Sequence, residues 1–293
     1  MKEHPLRSGL LLLIGAALLF FFAVYLSASF TGGNILLSPR IALIKIEGVI
    51  VDSREVIDDL KKYKDNPAIK AILLRIDSPG GGVVPSQEIY EEVKKIREDG
   101  QKKVVVSMGT VAASGGYYIA SASDRIVANP GTLTGSIGVI MELANVEGLL
   151  RKIGVDSLVI KSGRHKDIGS PFRKMKPEER EILQHLLDDI HNQFIEAVAS
   201  GRGLPEDKIR ELADGRIFTG REAKEIGLVD DLGNLQDAIR LTADIAGIEG
   251  EPKIVETQKR LSWFDLLRNQ WMGGLESVSI PQAGISLKYL MTF

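Results

Sequence analysis

Cysteine is absent from the 293-residue sequence. The chain therefore cannot form a disulfide framework, a thiolate zinc site or a cysteine-bound iron–sulfur cluster, and it has no thiol nucleophile. A surplus of positive charge is also missing, since 37 lysine and arginine residues are offset by 39 acidic residues, for a net charge of −2. This balance excludes a generally basic nucleic-acid-binding protein. The hydrophobic fraction of 44% is typical of a folded globular chain.

Charge is missing locally as well, over the 22 residues from Gly9 to Phe30. A helix of this length spans roughly 33 Å, enough for a hydrocarbon core of about 30 Å. Lys2 and Arg7 precede the segment, and the next charged residue is Arg40. By the positive-inside tendency, we expect residues 1–8 in the cytoplasm and the chain after residue 30 on the outer side of the cell membrane.

A cleaved signal peptide is the alternative interpretation of this segment. Ser27, Ala28 and Ser29 are small enough to offer a cleavage site. The apolar run is nevertheless longer than the roughly 7–15 residues of a signal-peptide core, which favours an uncleaved transmembrane anchor over residues 9–30. Residues 31–40 are then a linker.

Short apolar runs alternate with helical periodicity from Arg40 onward. The predicted strands are Ile41–Glu47, Ala71–Ile76, Lys103–Met108, Arg125–Ala128 and Ser157–Lys161. The predicted helices are Ser53–Tyr63, Ser86–Glu98, Gly115–Ala122 and Glu178–Gly201, the last ended by Gly201. Repeated strand–helix units predict an α/β fold with a mostly parallel sheet. This domain is expected over residues 41–250, and residues 251–293, with an apolar helix-like run at 263–272, are left without a role.

Two glycine-rich turns follow predicted strands, at Asp77–Gly82 and Ala112–Tyr118. Glycines allow close approach of the backbone and expose its N–H donors. Ser114 lies where a helix begins, and a hydroxyl nucleophile there, with donors from both turns, has the layout of an oxyanion hole. The alternative is that Ser114 is a helix N-cap, for which serine is a preferred residue. Phosphate-binding glycine motifs of the Walker or dinucleotide type are absent.

A serine nucleophile needs a general base, and three residues in one polar segment are candidates. Among the histidines, His165 is the reasonable choice, because His4 precedes the predicted anchor and the other two lie in the long predicted helix. A lysine is the other option, since neighbouring cations favour its neutral form. The residues alone do not distinguish Lys161, His165 and Lys166.

Five segments together resemble the signal peptide peptidase A family, in its short single-domain form. They are Asp77–Gly82 (DSPGGG), Ala113–Tyr118 (ASGGYY), Thr134–Val139 (TGSIGV), Lys161–Asp167 (KSGRHKD) and Asp214–Gly220 (DGRIFTG). The similarity covers about residues 41–235. It implies membrane-anchored serine proteases of the ClpP/crotonase-like fold, which need no metal or cofactor.

The resemblance also implies roles for individual residues. The nucleophile is Ser114, and the general base is Lys166, which leaves Lys161 without that role. Ser136 is expected to hydrogen-bond the lysine, and the backbone N–H groups of Gly81 and Gly115 are expected to form the oxyanion hole. The residue before the lysine is often aromatic in the family and is His165 here, so the histidine alternative stays open.

The substrates that the resemblance implies are remnant signal peptides, with a pocket for apolar or small side chains. It further implies a homo-oligomeric ring in which a neighbouring protomer supplies Lys166. A related Ser-Lys protease acting on other hydrophobic membrane-protein segments is the nearest alternative. A crotonase-like acyl-CoA hydratase or isomerase and a non-enzymatic membrane scaffold are the others, and neither needs a Ser-Lys pair.

Overall fold

The computed structural model describes the backbone of residues 5–32, 39–257 and 288–291 and the side chains of residues 13–26, 39–257 and 288–291. The helices are α1 Pro5–Gly32, α2 Arg54–Lys64, α3 Val83–Asp99, α4 Gly115–Ser121, α5 Glu147–Lys152, α6 Pro177–Arg202, α7 Glu206–Leu212, α8 Gly220–Glu225 and α9 Leu235–Ile245. The strands are β1 Arg40–Glu47, β2 Ile69–Ser78, β3 Gly80–Gly82, β4 Lys103–Ala113, β5 Arg125–Ala128, β6 Leu133–Gly135, β7 Ile217–Thr219, β8 Asp231–Leu232, β9 Lys253–Glu256 and β10 Lys288–Leu290.

The central sheet has the strand order β7-β6-β4-β2-β1-β9, with β5 beside β4 and β8 beside β5. Every pair in it is parallel except β6 with β7. β2 and β4 lie at its centre and are apolar on both faces, as expected of parallel strands covered by helices. The predicted mixed α/β fold with a mostly parallel sheet is thereby confirmed.

Successive side chains of the central strands enter two different apolar clusters. Ile72, Leu74 and Ile76 pack into the larger cluster with residues of α2, α3, α4 and α6. Leu73 and Val105 point to the other face and pack with residues of α9. This alternation follows from the two-residue period of a strand. The loops that follow β2, β4 and β6 gather at the carboxyl edge of the sheet.

Two local predictions were wrong. Ser157–Lys161 is not a strand: Leu158 is 88% exposed, Ile160 is 93% exposed, and within the described residues no neighbouring strand pairs with this segment. Gly201 does not end the long helix, because α6 continues to Arg202 and Gly203, at φ 62°, is its C-cap. A Cβ added to Gly201 would lie 2.1 Å from the carbonyl oxygen of Ser121, so this glycine permits close helix packing.

The two ends of the chain supply a helix and two further strands. Large apolar side chains of α1, including Leu19 and Phe21, are exposed within residues 13–26. In the part of the chain that the structure describes, no helix combines the length and apolarity that a membrane crossing needs. β9 pairs with β1, and β10 pairs antiparallel with β3. The apolar run predicted over 263–272 lies outside the described residues.

Candidate active site

Three strands end side by side at the carboxyl edge of the sheet and carry the predicted site. Ser78 of β2 is paired with Ala112 of β4, and Ala113 of β4 is paired with Gly135 of β6. The residues that follow β4 and β6 are Ser114 and Ser136. The sheet therefore brings both predicted serines together with the glycine-rich segment that follows β2.

Ser114 lies in a strained turn between β4 and α4. Its φ of 52° and ψ of −117° are uncommon for a residue with a side chain. Its N–H donates to the carbonyl oxygen of Gly135 at 2.8 Å, and its own carbonyl oxygen accepts from the N–H of Tyr118 at 2.8 Å. The side chain is 1% exposed, and its Oγ has no hydrogen-bond partner among the described residues. The hydroxyl does not cap the helix, so the N-cap interpretation does not account for it.

Ser136 shares this backbone strain. Within the described residues, Ser114 and Ser136 are the two non-glycine residues with positive φ, 52° and 51°. Ser136 is held there by its N–H, which donates to the carbonyl oxygen of Arg216 at 2.8 Å. Such conformations cost on the order of 1–3 kcal/mol each and cluster at functional sites.

The glycine-rich segment approaches Ser114 as backbone, with no room for side chains. A Cβ added to Gly80, whose φ is 99°, would lie 2.7 Å from the amide nitrogen of Gly115. A Cβ added to Gly81 would lie 2.1 Å from the carbonyl oxygen of Ile50. The turn predicted at residues 77–82 is therefore partly a strand, β3, and its backbone lies against the start of α4.

The C-terminal strand β10 lies in the groove beside this segment. The N–H of Met291 donates to the carbonyl oxygen of Pro79 at 2.8 Å, and Tyr289 is paired with Gly81. On the opposite side, Ile140 exchanges backbone hydrogen bonds of 3.2 and 3.4 Å with Lys288. An extended peptide thus fits between two backbone edges, in the manner of strand addition.

The carbonyl group of Tyr289 points into the space between the two glycine segments. Its oxygen lies 2.1 Å from the position of a Cβ on Gly80 and 3.2 Å from that of a Cβ on Gly115. In an antiparallel ladder hydrogen-bonded pairs recur every second residue, so the bond between Met291 and Pro79 makes Tyr289 and Gly81 the next such pair. A peptide carbonyl in this groove therefore faces the predicted oxyanion-hole amides.

The side chain of Tyr289 fills an aromatic pocket. Its ring centroid lies 5.2 Å from that of Tyr118, in a stacked arrangement, and 4.7 Å from that of Phe194. Tyr90 extends the cluster, with its ring 4.8 Å from Tyr118. The Tyr289 hydroxyl donates to the carbonyl oxygen of Ile190 at 3.3 Å. Burial raises the pKa of Tyr118 and Tyr289 above the ordinary range, so both phenols stay neutral.

Lys166 lies on the loop between α5 and α6. Its side chain is exposed and makes no hydrogen bond or ion pair with the described residues. Lys161 donates instead to Asp167, with which it forms an ion pair. The Nδ1 atom of His165 is buried without a partner in the described part of the chain. None of the three candidate bases is hydrogen-bonded to Ser114 Oγ within one chain.

A cleft of about 770 Å³ opens beside Ser136 and the end of β10. Ile140, Leu290 and Met291 contribute to its apolar lining, and His191 contributes a ring whose Nε2 has no partner among the described residues. In those residues no group of histidine, aspartate and glutamate side chains could hold a metal ion.

Sequence reasoning missed the occupant of the groove and its pocket. The motif residues Gly81, Ser114 and Gly115 are recognisable locally, but β10 pairs with a strand about 200 residues earlier in the chain. Tyr118 belongs to the ASGGYY motif, and its neighbour Phe194 lies on α6, so only the fold reveals that they form one pocket.

Sequence comparisons match this chain to known peptidases. The sequence profile of peptidase family S49 matches residues 96–249, more than half of the chain, and the Clp protease profile matches residues 32–131. A putative protease of Synechocystis sp. is 48% identical over 219 residues, which are 74% of this chain and 78% of that protein.

Two further relatives are longer than this chain. A protein of Enterococcus faecium named putative signal peptide peptidase SppA is 39% identical, over 69% of this chain and 62% of its own length. Protease 4 of Salmonella typhi is 38% identical, over 75% of this chain and 36% of its own length. On these matches and this fold, the chain belongs to peptidase family S49 and is a serine peptidase.

Proposed function

We propose that this peptidase is a membrane-anchored endopeptidase that uses a Ser-Lys dyad to degrade remnant signal peptides. Ser114 is the nucleophile, Lys166 is the general base, and the N–H groups of Gly81 and Gly115 form the oxyanion hole. Hydrolysis needs no metal or cofactor in this scheme.

The observation that carries the proposal is the position of β10, which pairs with β3 in the groove. An extended segment lies antiparallel to β3, and its Tyr289 carbonyl faces the Gly80–Gly81 segment and Gly115, beside a buried hydroxyl without a partner in the described residues. A substrate peptide held in the same way has its scissile carbonyl next to Ser114 Oγ. Main-chain pairing supplies affinity and leaves the side-chain pockets to decide specificity.

The chemistry follows from these groups. Neutral Lys166 accepts the proton of Ser114 Oγ as that oxygen attacks the peptide carbonyl carbon. The resulting oxyanion accepts hydrogen bonds from the two glycine amides, each typically worth about 3 kcal/mol in the transition state. The lysine ammonium then protonates the leaving amine, and water, deprotonated by the same lysine, hydrolyses the acyl-enzyme. Ser136 is placed in this scheme as a hydrogen-bond partner that orients the lysine amine.

In this proposal a neighbouring copy of the chain supplies the lysine, within a homo-oligomeric ring. Three observations support it. Lys166 is exposed, and Ser114 Oγ has no partner among the described residues. The segment leading to Lys166 also exposes large apolar side chains, among them Leu149 at 58%, Ile153 at 63% and Ile160 at 93%. Exposed apolar surface of this extent is typical of a contact with another protein.

The proposed location is the cell membrane, with the N-terminus cytoplasmic and the catalytic domain outside. The uncharged segment of residues 9–30 supports it, as do the exposed apolar side chains of α1 within residues 13–26. A peptidase tethered there meets hydrophobic segments left in the membrane after secretion. Other hydrophobic membrane-protein segments are the second candidate substrates, since the same groove accepts any extended backbone.

The test is peptide hydrolysis by the full-length protein in detergent, with wild type, Ser114→Ala, Lys166→Ala and His165→Ala compared. We expect Ser114→Ala and Lys166→Ala to lose activity by a factor of at least ~10²–10⁴, because each removes a group required for proton transfer or attack. His165→Ala should stay within a few-fold of wild type. Synthetic signal peptides and a hydrophobic membrane-protein segment serve as competing substrates.

Each other outcome is informative. An inactive His165→Ala protein beside an active Lys166→Ala protein would assign the base to the histidine. Faster cleavage of the membrane-protein segment would replace signal peptides as the substrate class. A wild-type protein that is folded and assembled but cleaves neither would contradict the proposal.

A further inference from the structure

The geometry points to Arg173 as a positioning residue for the reaction: it clamps the loop that carries Lys166 to the start of α6 through Asp167 and Glu179. This inference rests on the proposed role of Lys166 as the general base. Arg173 itself is not expected to touch the substrate.

Every N–H donor of the Arg173 guanidinium is used. Nε donates to Asp167 Oδ2 at 2.7 Å. One terminal nitrogen donates to Glu179 Oε2 at 2.7 Å and to the Lys174 carbonyl oxygen at 3.0 Å. The other donates to Glu179 Oε1 at 2.6 Å and to the Asp167 carbonyl oxygen at 3.1 Å. Five donors with five acceptors fix the plane of the guanidinium, which the three donors of a lysine cannot do.

The clamp, formed by Arg173, Asp167 and Glu179, joins helix α6 to the residue next to Lys166. Glu179 lies in the first turn of α6 with its side chain 1% exposed, and its Oε2 also accepts the N–H of Lys176 at 3.1 Å. Asp167 directly follows Lys166, and Arg173 holds both its carboxylate and its main-chain carbonyl. The backbone at Lys166 is thereby fixed to α6, although the surrounding loop is largely exposed.

The charges of the clamp are consistent with a permanent link. Arg173 hydrogen bonds lower the pKa of the Glu179 carboxyl to about 2 and hold that of Asp167 well below its usual range. Both carboxylates therefore stay ionised at neutral pH. Lys161 donates to the other oxygen of Asp167, so this carboxylate is held from two sides.

Placement of a proton acceptor within about 1 Å can decide the rate of a reaction by a factor of ~10². Substituting Arg173→Lys keeps the positive charge and removes the fork that holds Asp167 and Glu179 together. We expect kcat for peptide hydrolysis to fall roughly 10–100-fold, with KM within about threefold because the substrate groove is untouched. Because a smaller folded fraction also lowers the apparent kcat at constant KM, kcat is normalised to the concentration of folded protein measured by circular dichroism.

A double-mutant cycle with Lys166→Ala separates positioning from general stability. If Arg173 acts through Lys166, adding Arg173→Lys to Lys166→Ala leaves the residual activity unchanged. If Arg173 only stabilises the fold, the residual activity falls in both backgrounds. The second result, or a kcat of Arg173→Lys within twofold of wild type, would overturn the inference.

Arg202 offers a matched control at the other end of α6. It pairs bidentately with Asp230, at 3.0 and 2.7 Å, and is 7% exposed. Arg202→Lys should lower the melting temperature without the selective loss of kcat. Should Arg173→Lys fail to fold, the double variant Arg173→Gln, Glu179→Gln takes its place in the test. It removes both charges and leaves no buried carboxylate unpaired. A Lys166→Ala protein as active as wild type would instead contradict the proposed function, whatever Arg173 does.

Discussion

Gly81 has no room for a side chain, and its N–H is a proposed oxyanion-hole donor. A Cβ added there would lie 2.1 Å from the carbonyl oxygen and 2.5 Å from the amide nitrogen of Ile50, so β3 must move to accept alanine. The displaced N–H no longer faces the substrate carbonyl. Loss of one oxyanion donor typically costs a factor of ~10²–10³, and we expect kcat/KM of Gly81→Ala for peptide hydrolysis to fall by this amount.

Gly131→Ala is the matched control for Gly81→Ala. Gly131 is exposed, and a Cβ added there would meet no atom within 4 Å. The same chemical change should therefore leave kcat/KM and the circular dichroism melting curve unaltered. Activity of Gly81→Ala close to that of Gly131→Ala would contradict the role assigned to the Gly81 amide.

The individual residues of the site differ in how far the sequence predicts them. Ser114 and Gly115 are predictable because a short motif after an apolar strand encodes a tight turn, and the fold places them at the end of β4. A local motif does not predict which side chain contacts Ser114 Oγ, and the described residues contain no such partner. Arg173 lies in an irregular loop and contacts residues six positions away on either side, a spacing that no helix or strand period predicts.

At the scale of elements, α4 and α6 form the pocket that decides which side chain the groove accepts. Tyr118 of α4 and Phe194 of α6 enclose the ring of Tyr289. We therefore expect a preference for a large aromatic side chain before the scissile bond, in place of the apolar or small side chains that the resemblance implies. Phe194→Leu removes ring contact and should reduce the kcat/KM ratio of phenylalanine to alanine peptides at least ~10-fold.

The ratio between two substrates is insensitive to the fraction of protein that is folded, which matters because Phe194 is fully buried. Ile195→Val alters the adjacent, equally buried residue of α6 and is the control. It should change the melting temperature without changing the substrate ratio. An unchanged ratio in Phe194→Leu would show that this pocket does not receive the side chain before the scissile bond.

Elements with a strong local pattern were predicted, and those made by distant pairing were not. The apolar cores of β1, β2 and β4 and the long amphipathic α6 follow directly from periodicity. β3 consists of three glycines, a composition that disfavours strands, and it forms because Ile50 and β10 supply partners on its two sides. Ser157–Lys161 has the opposite property, a strand-like sequence with no pairing partner in the described residues.

At the scale of the whole molecule, β10 occupies the groove that a substrate needs. An attached segment acts at an effective concentration in the millimolar range, so it competes strongly with free peptide. Deletion of residues 288–293 should lower the apparent KM for a peptide substrate at least ~10-fold, provided the groove stays formed. A synthetic peptide with the sequence of residues 287–293 should then inhibit the truncated protein more strongly than the full-length protein. An unchanged KM together with equal inhibition of both proteins would contradict competition by β10.

The proposed arrangement of subunits is testable because Ser114 and Lys166 can be substituted in different copies of the chain. In the proposed ring each site would take its serine from one copy and its lysine from the next, through a heterologous interface. Mixing Ser114→Ala with Lys166→Ala subunits in equal amounts leaves about a quarter of the sites with both native groups, so up to about a quarter of wild-type hydrolysis should return. Mixing Lys166→Ala with the Ser114→Ala, Lys166→Ala double variant is the control and should return none. Mixed oligomers, verified by mass spectrometry of differently tagged subunits, that stay inactive would show that the lysine does not act across a subunit boundary.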